Sequence, residues 1–164
     1  MFLRSAGERD LKAVRALLVE TWHATYDSIY GTERVAEITD DWHSLPSLKA
    51  RLERLDSEFV LVDDGREIIG MAFASAIDKG ETVMLHQLYV KPAHQGKGVG
   101  SLLLGEVESC FPDARRIRLE VEEANVQATA FYRAKGFSKV GTTADCGKEG
   151  SGIGAAVLER PTAL

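Results

Sequence analysis

The chain has only two cysteines and four prolines in 164 residues, no long apolar run, and fewer basic than acidic side chains. Two thiols, Cys110 and Cys146, are too few for a disulfide scaffold, and in a reducing compartment both are expected to be free. Neither belongs to a Cys-x-x-Cys pair or has a histidine close by in sequence, so a structural zinc or other metal site is not expected. No apolar stretch approaches the roughly 20 residues needed to span a bilayer. Met1-Phe2-Leu3-Arg4 runs straight into charged sequence, which is not how a secretory leader reads. A cytoplasmic protein without membrane association is therefore expected. Lys and Arg number 20 against 25 Asp and Glu, a net charge of −5, which argues against a broad nucleic-acid-binding face. The same balance is compatible with a cationic partner such as an amine.

What is present is an ordinary globular composition, 45% hydrophobic and 27% charged, long enough to bury one sizeable core. A single domain over residues 1–164 is expected, with no repeat or linker. Phe2–Ser5 reads as a strand. Glu8 to about Ser28 reads as a helix, with Leu11, Val14, Leu17, Leu18 and Trp22 at helical spacing, broken by Gly31. Ser47–Leu55 is a second helix, carried by Leu48, Leu52 and Leu55. Strands over Glu58–Val62 and Glu67–Ala76 flank an Asp63-Asp64-Gly65 turn, and Asp78-Lys79-Gly80 leads into a third over Thr82–Val90. A leucine-rich helix over Val99–Phe111 places Cys110 on its apolar side, in the core. A strand follows over Arg116–Val121, then a short helix after Asn125, then strands over Phe137–Val140 and Ala155–Glu159. Gly141–Gly154, rich in glycine and charge, is expected to be a mobile connection. The order βααβββαβαββ implies an α/β fold: a mixed, mostly antiparallel sheet flanked by helices.

The most informative stretch is Gln95-Gly96-Lys97-Gly98-Val99-Gly100-Ser101, where a strand hands over to a helix. Such a turn exposes successive backbone N–H groups beside a helix N-terminus, an anion site suited to a pyrophosphate. Glycine permits positive φ and close backbone approach. Lys97 is followed by Gly98, so the loop is not a Walker A, and the third glycine comes one residue too early for a dinucleotide fingerprint. Q-x-x-G-x-G remains, carried by Gln95, Gly98 and Gly100.

A second segment, Asn125 to Phe137, reads as a capped helix: Asn125 at the N-cap, Gly136 at a left-handed C′ position, and Phe137 as the apolar residue after it. It matches N-x-x-A-x-x-x-Y-x-x-x-G-F at every fixed position. Together with Leu88-Tyr89-Val90 before the glycine loop, these motifs resemble those of the GNAT superfamily of N-acetyltransferases, over about a third of the chain and in the family's order. The resemblance implies acetyl-coenzyme A as co-substrate. Its pyrophosphate would lie on Gln95 to Ser101, its pantetheine arm on the backbone of Leu88, Tyr89 and Val90 like an added strand, and Asn125 and Tyr132 would contact it further on. It also implies acetyl transfer to an amine by direct attack in a ternary complex.

That reaction needs a base for the protonated amine, donors for the developing oxyanion, and an acid for the departing thiolate. By resemblance the acid is Tyr132, whose ring would otherwise be a packed aromatic. Two side chains compete as base. His86 lies two residues before Leu88, hence on the same face of a regular strand, and titrates in a useful range. Glu120 lies in Leu119-Glu120-Val121, twelve positions before Tyr132, where protein N-terminal acetyltransferases of the family carry a glutamate. Chains of water are the third route; His86 is preferred for its shared face. The acceptor site is expected in the N-terminal third, where Trp22, His23, Tyr26, Tyr30, Trp42 and His43 accompany Glu33, Glu37, Asp40 and Asp41, a combination able to bind a cation unless the rings are simply core. A small-molecule amine is the expected acceptor. A protein N-terminus or lysine, or a non-catalytic acyl-coenzyme A-binding module, are the alternatives, and the residues leave a homodimer open.

Overall fold

A computed structural model describes residues 1–147 and 149–162. The single-domain reading over 1–164 thus includes Lys148, Ala163 and Leu164, which lie outside the described residues. The elements in chain order are β1 (Phe2–Ser5), α1 (Leu11–Tyr30), α2 (Thr32–Trp42), α3 (Leu45–Glu53), β2 (Ser57–Asp63), β3 (Ile68–Ile77), β4 (Thr82–Val90), α4 (Val99–Cys110), β5 (Arg116–Val121), α5 (Val126–Ala134), β6 (Ser138–Thr143) and β7 (Ala155–Pro161). Among the described residues no helix is long and apolar enough to cross a membrane.

The seven strands form one sheet in the order β1-β2-β3-β4-β5-β7-β6. Every neighbouring pair is antiparallel except β4 and β5, which run parallel. Strand alternation divides the side chains between two layers. Val60, Val62, Ala72, Ala74, Val83 and Leu85 face α4 and α5, where Leu103, Leu104, Val107 and Tyr132 cover them. Phe59, Leu61, Met71 and Phe73 face α1 and α3, against Leu11, Val14, Leu18 and Leu48. A third cluster joins Trp22 and Tyr26 of α1 to Val35 and Ile38 of α2 and to Cys146, Ile153 and Ala155.

The sequence reading misses α2 and so counts one helix too few. Its buried stripe is only Val35, Ile38 and Thr39 in a charged segment, a narrow signal at the right 3–4 spacing. The next helix begins earlier than expected: the Ser44 side chain accepts from Ser47 N–H at 3.2 Å, and Pro46 sits in the first turn, where its missing N–H costs nothing. It also ends earlier, so Leu55 lies beyond it and is 85% exposed rather than part of its apolar stripe. Cys110, expected in the core, is only half-buried at the end of α4. The Gly141–Gly154 stretch is not a free connection: β6 runs to Thr143, Cys146 N–H donates to Ile153 O at 2.7 Å, and both residues are buried against α1 and α2.

Two features of β4 shape the cavities around its C-terminal end. It pairs with β5 only from Thr82↔Arg116 to Leu85↔Leu119, then continues to Val90 without that neighbour. It also carries a bulge, since Phe73 pairs with Gln87 but Ala74 pairs with Leu85. Against this strand's end, α4 packs so closely that Gly70 has no room for a side chain: a Cβ there would meet Val99 Cγ1 at 3.0 Å, Leu103 Cδ1 at 3.1 Å and the Tyr89 carbonyl at 3.3 Å. Gly70→Ala is accordingly expected to destabilise the fold by about 1–3 kcal/mol through overpacking. Urea unfolding of the variant checks this, and an unchanged midpoint would refute the tight contact.

Candidate active site

Beyond Leu85, β4 offers an open backbone edge. Lys91 N–H donates to Ile69 O at 2.8 Å, which fixes the ladder so that Tyr89 exchanges hydrogen bonds with Met71. The backbone groups of Leu88 and Val90 then point to the unpaired side. The Val90 carbonyl is already taken by the Gln95 side chain, whose Nε2 donates to it at 3.1 Å and so ties the glycine loop to the strand. Gly96 and Gly98 have φ of +76° and +86°, and Gly98 is the N-cap of α4. Leu102 N–H is the first to be satisfied within α4, on Gly98 O, leaving the preceding N–H groups without a helical acceptor. Gly100 serves differently: a Cβ there would lie 3.2 Å from Phe131 Cζ, so the glycine lets α5 approach α4.

These groups wall a cavity of about 430 Å³ that includes Leu88, Tyr89, Val90, Gln95, Gly96, Gly98, Val99, Gly100, Ser101, Asn125 and Tyr132. Of the residues the sequence assigns to coenzyme binding, Lys97 alone is absent from this wall, exposed on the loop. His94 and Lys135 line it too, two basic side chains that no motif flagged.

A second cavity, of about 380 Å³, opens on the other side of the β4 end. Trp22, Tyr26, Trp42 and Tyr89 supply aromatic walls, and His86, Glu120, Glu122 and Asp41 supply polar ones. The N-terminal aromatic stripe therefore divides. Trp22 and Tyr26 reach the cavity, while His23 Nδ1 lies 2.6 Å from Asp27 Oδ1 and takes no part. Of the acidic run, Asp41 lines the cavity, whereas Asp40 binds Arg15 at 2.8 Å and Glu37 lies 4.0 Å from Arg34. Leu88, Tyr89, Asn125, Ala128 and Tyr132 belong to both cavities.

The three side chains expected to do chemistry line this second cavity. Tyr132 is buried beside Phe131 and Phe137, and burial pushes its hydroxyl pKa above the ordinary phenol value. It thus keeps its proton at neutral pH, as an acid must. Glu120 Oε1 accepts the Gly147 N–H at 3.2 Å. His86 departs from expectation in two ways. The bulge breaks the alternation, so the ring turns to the α1 side, 5.4 Å from Phe73, while Leu88 packs on the α4 side. The shared face argued for His86 does not exist. Its Nε2 is 2.8 Å from Ser75 Oγ, and burial, then the Arg54 and Arg51 charges, lower its pKa to about 4, well below the range first expected.

His43 is 1% exposed and its pKa is lowered to about 3, by burial and then by Arg51 and Arg15. Arg51 Nη1 and Nη2 both lie 3.3 Å from His43 Nδ1. A guanidinium only donates, so Nδ1 accepts and the imidazole proton sits on Nε2. Two groups of this cavity were not assigned to a site by the sequence reading. Cys146 reaches the cavity, its thiol pushed up to about 12 by burial and by Glu122 and Glu120. Glu122 is buried with its Oε2 2.5 Å from the Tyr26 hydroxyl. The one sequence signal for Glu122 was its place between Glu120 and the helix-capping Asn125.

With this geometry in view, the chain was compared with known proteins. The family model described as acetyltransferase (GNAT) family matches residues 12–137. The N-alpha-acetyltransferase RimI of Mycobacterium tuberculosis is 33% identical over 87 residues, covering 52% of this chain and 54% of that protein. The thialysine N-epsilon-acetyltransferase of Bos taurus is 33% identical over 66 residues, 39% of each chain. The chain thus spans about half the length, or less, of the curated relatives it matches. Among solved structures, the PaiA N-acetyltransferase of Thermoplasma acidophilum, in complex with coenzyme A, superposes with a TM-score of 0.85 at 25% identity, covering 98% of both chains.

The two buried imidazoles carry a stability consequence. His43 and His86 titrate at about 3 and about 4 in the folded protein against 6.5 as ordinary values. The unfolded chain therefore binds more protons below pH 6.5, so stability is complete above that pH and is lost as pH falls toward the folded values. Unfolding free energy measured by urea should decline from pH 6.5 to 5, and His86→Gln should flatten that decline. A wild-type protein equally stable across this window would contradict the burial.

Proposed function

The chain belongs to the acetyltransferase (GNAT) family, and from that premise we propose that it moves an acetyl group from acetyl-coenzyme A to a small primary amine, by direct attack within a ternary complex. The observation that carries this reading is the shared wall of the two cavities, formed by Leu88, Tyr89, Asn125, Ala128 and Tyr132. One cavity has the donors for a pyrophosphate and an open strand edge for the amide-bearing pantetheine arm. The other has aromatic rings and carboxylates for a cation. A thioester lying along Leu88 would be reached by an amine from the opposite side, next to Tyr132.

The parts then follow from the chemistry. Unpaired N–H groups on the β4 edge would stabilise the thioester oxygen as it gains charge. Tyr132, still protonated because it is buried, would give its proton to the leaving sulfur. Cys146 lies in the amine cavity, but with its thiol pushed up to about 12 it is not a nucleophile at neutral pH, which favours direct attack over an acyl-enzyme. His86 and Glu120 stand as polar groups able to pass the amine's proton to water. His86 is uncharged and attracts no ammonium. A peptide amine is the second reading, favoured by the name of the RimI relative rather than by the cavity, over which Trp42 and Gly147 pack: a Cβ on Gly147 would lie 3.2 Å from Trp42 Cζ3.

Thiol release from acetyl-coenzyme A across a panel of small amines and peptides tests the proposal; turnover with none would leave a coenzyme-binding module. Two variants sharpen it. Gly98→Glu puts bulk and negative charge into the anion site and is expected to weaken coenzyme binding at least tenfold, about 1.4 kcal/mol, with calorimetry as the check. Tyr132→Phe keeps the ring and should lower kcat about 100-fold with coenzyme affinity nearly unchanged. A full-rate variant would return Tyr132 to a packing role.

A further inference from the structure

The amine cavity holds a charge that the proposed transfer leaves unused. Glu122 follows Glu120 by two positions, just past the end of β5. It is 6% exposed and its Oε2 accepts from the Tyr26 hydroxyl at 2.5 Å. Asn125 Nδ2 in turn lies 3.3 Å from the Tyr26 oxygen. An amide nitrogen only donates, so the Tyr26 oxygen accepts from Asn125 and its own proton points to Glu122. The direction of the bond makes the Glu122 carboxyl oxygen the acceptor.

A buried carboxylate is ordinarily matched by a cation. Among the described residues Glu122 has no ion-pair partner. The titratable groups around it are Tyr26 and Tyr30 from α1, Tyr89 from β4, and Cys146 from the segment after β6, with Glu120 on its own strand lining the same cavity. All of these are neutral or negative. Arg51 of α3 lines the same cavity but donates to the Trp42 carbonyl and to His43 Nδ1. Among the described residues no cation pairs with Glu122, which shares this wall with Asn125 and Tyr132.

We propose that Glu122, positioned by Tyr26 and Asn125, binds the protonated amine of the acceptor and takes its proton. This rests on the reading of the chain as an amine acetyltransferase. The ammonium gives one proton to the Glu122 carboxylate, leaving a neutral amine and a carboxyl group. The nitrogen lone pair attacks the thioester carbonyl and the C–N bond forms. The C–S bond breaks with its electron pair on sulfur, which takes the Tyr132 hydroxyl proton. The Tyr132 oxygen regains a proton from the new amide nitrogen, and Glu122 returns its proton to solvent.

Glu122→Gln keeps the size and leaves an oxygen for the Tyr26 hydroxyl. Wild-type thiol release with the amine and peptide panel is measured first; no turnover there would overturn the transferase reading and this proposal with it. With the best amine, Glu122→Gln is expected to raise the amine KM about tenfold or more and to abolish the acid limb of the kcat/KM pH profile. Coenzyme affinity should be unchanged, and the melting temperature unchanged or higher, because an unpaired buried charge is gone. Tyr26→Phe removes a hydrogen bond to the charged carboxylate, so the carboxylate binds its proton more tightly and the acid limb should move to higher pH. A Glu122→Gln enzyme with wild-type amine KM and acid limb overturns the proposal. So does one that loses coenzyme affinity and thermal stability along with turnover, which would mark a structural residue, and so does an acid limb unmoved by Tyr26→Phe.

Discussion

The structure depends on the parting of two parallel strands. β4 and β5 share a ladder for four residues, from Thr82↔Arg116 to Leu85↔Leu119, and then separate. A buried backbone without partners is costly, so such an opening persists only where something else fills it or where water enters. Here the gap exposes the backbone of Leu88 and Val90 to the cavity of the glycine loop, and Tyr132 of α5 lines both cavities. The bulge at His86–Gln87 accompanies the separation and turns β4 away from its former neighbour. Two cavities on opposite sides of one strand end, sharing Tyr132 in their common wall, result from that divergence.

Much of this was legible in the sequence because the signals are local. Both β4 and β5 have the boundaries that their apolar alternation indicates, and Asn125 caps α5 by accepting from Ala128 N–H at 3.2 Å, as its residue type implies. The glycine loop shows positive φ at Gly98, one of the positions its spacing singles out, and at Gly96 beside it, whereas Gly100 lies within α4. The failures share a different character. The face of His86 depends on a bulge that composition does not announce, since no glycine or proline marks it. The helix α2 buries too few residues to be told from a charged loop. Glu122 looks like any charge at a strand end; only the fold brings it to Tyr26, 96 positions away in sequence.

The site also shows how the fold accommodates cost. His43 and His86 are kept uncharged, Arg51 is buried beside an imidazole and donates to the Trp42 carbonyl at 2.6 Å, and the Glu122 carboxylate has no ion-pair partner among the described residues. Each would be easier to satisfy in water. All of them border the second cavity rather than the core proper, which is almost wholly apolar in its α4 layer. Stability is supplied by the sheet and its two helical layers, and these four groups stand where ligands would meet them.

Asn125 sits where these requirements cross. Its side-chain oxygen ends a helix, its nitrogen orients a tyrosine, and its surface forms part of both cavities. No single replacement preserves all of this: aspartate keeps the cap and loses the donor, while alanine loses both. Position 125 therefore constrains drift in a way that the glycine loop does not. A lineage changing its acceptor could remodel Trp42 or Gly147 one step at a time, whereas any path through Asn125 must alter helix, tyrosine and cavity in the same step.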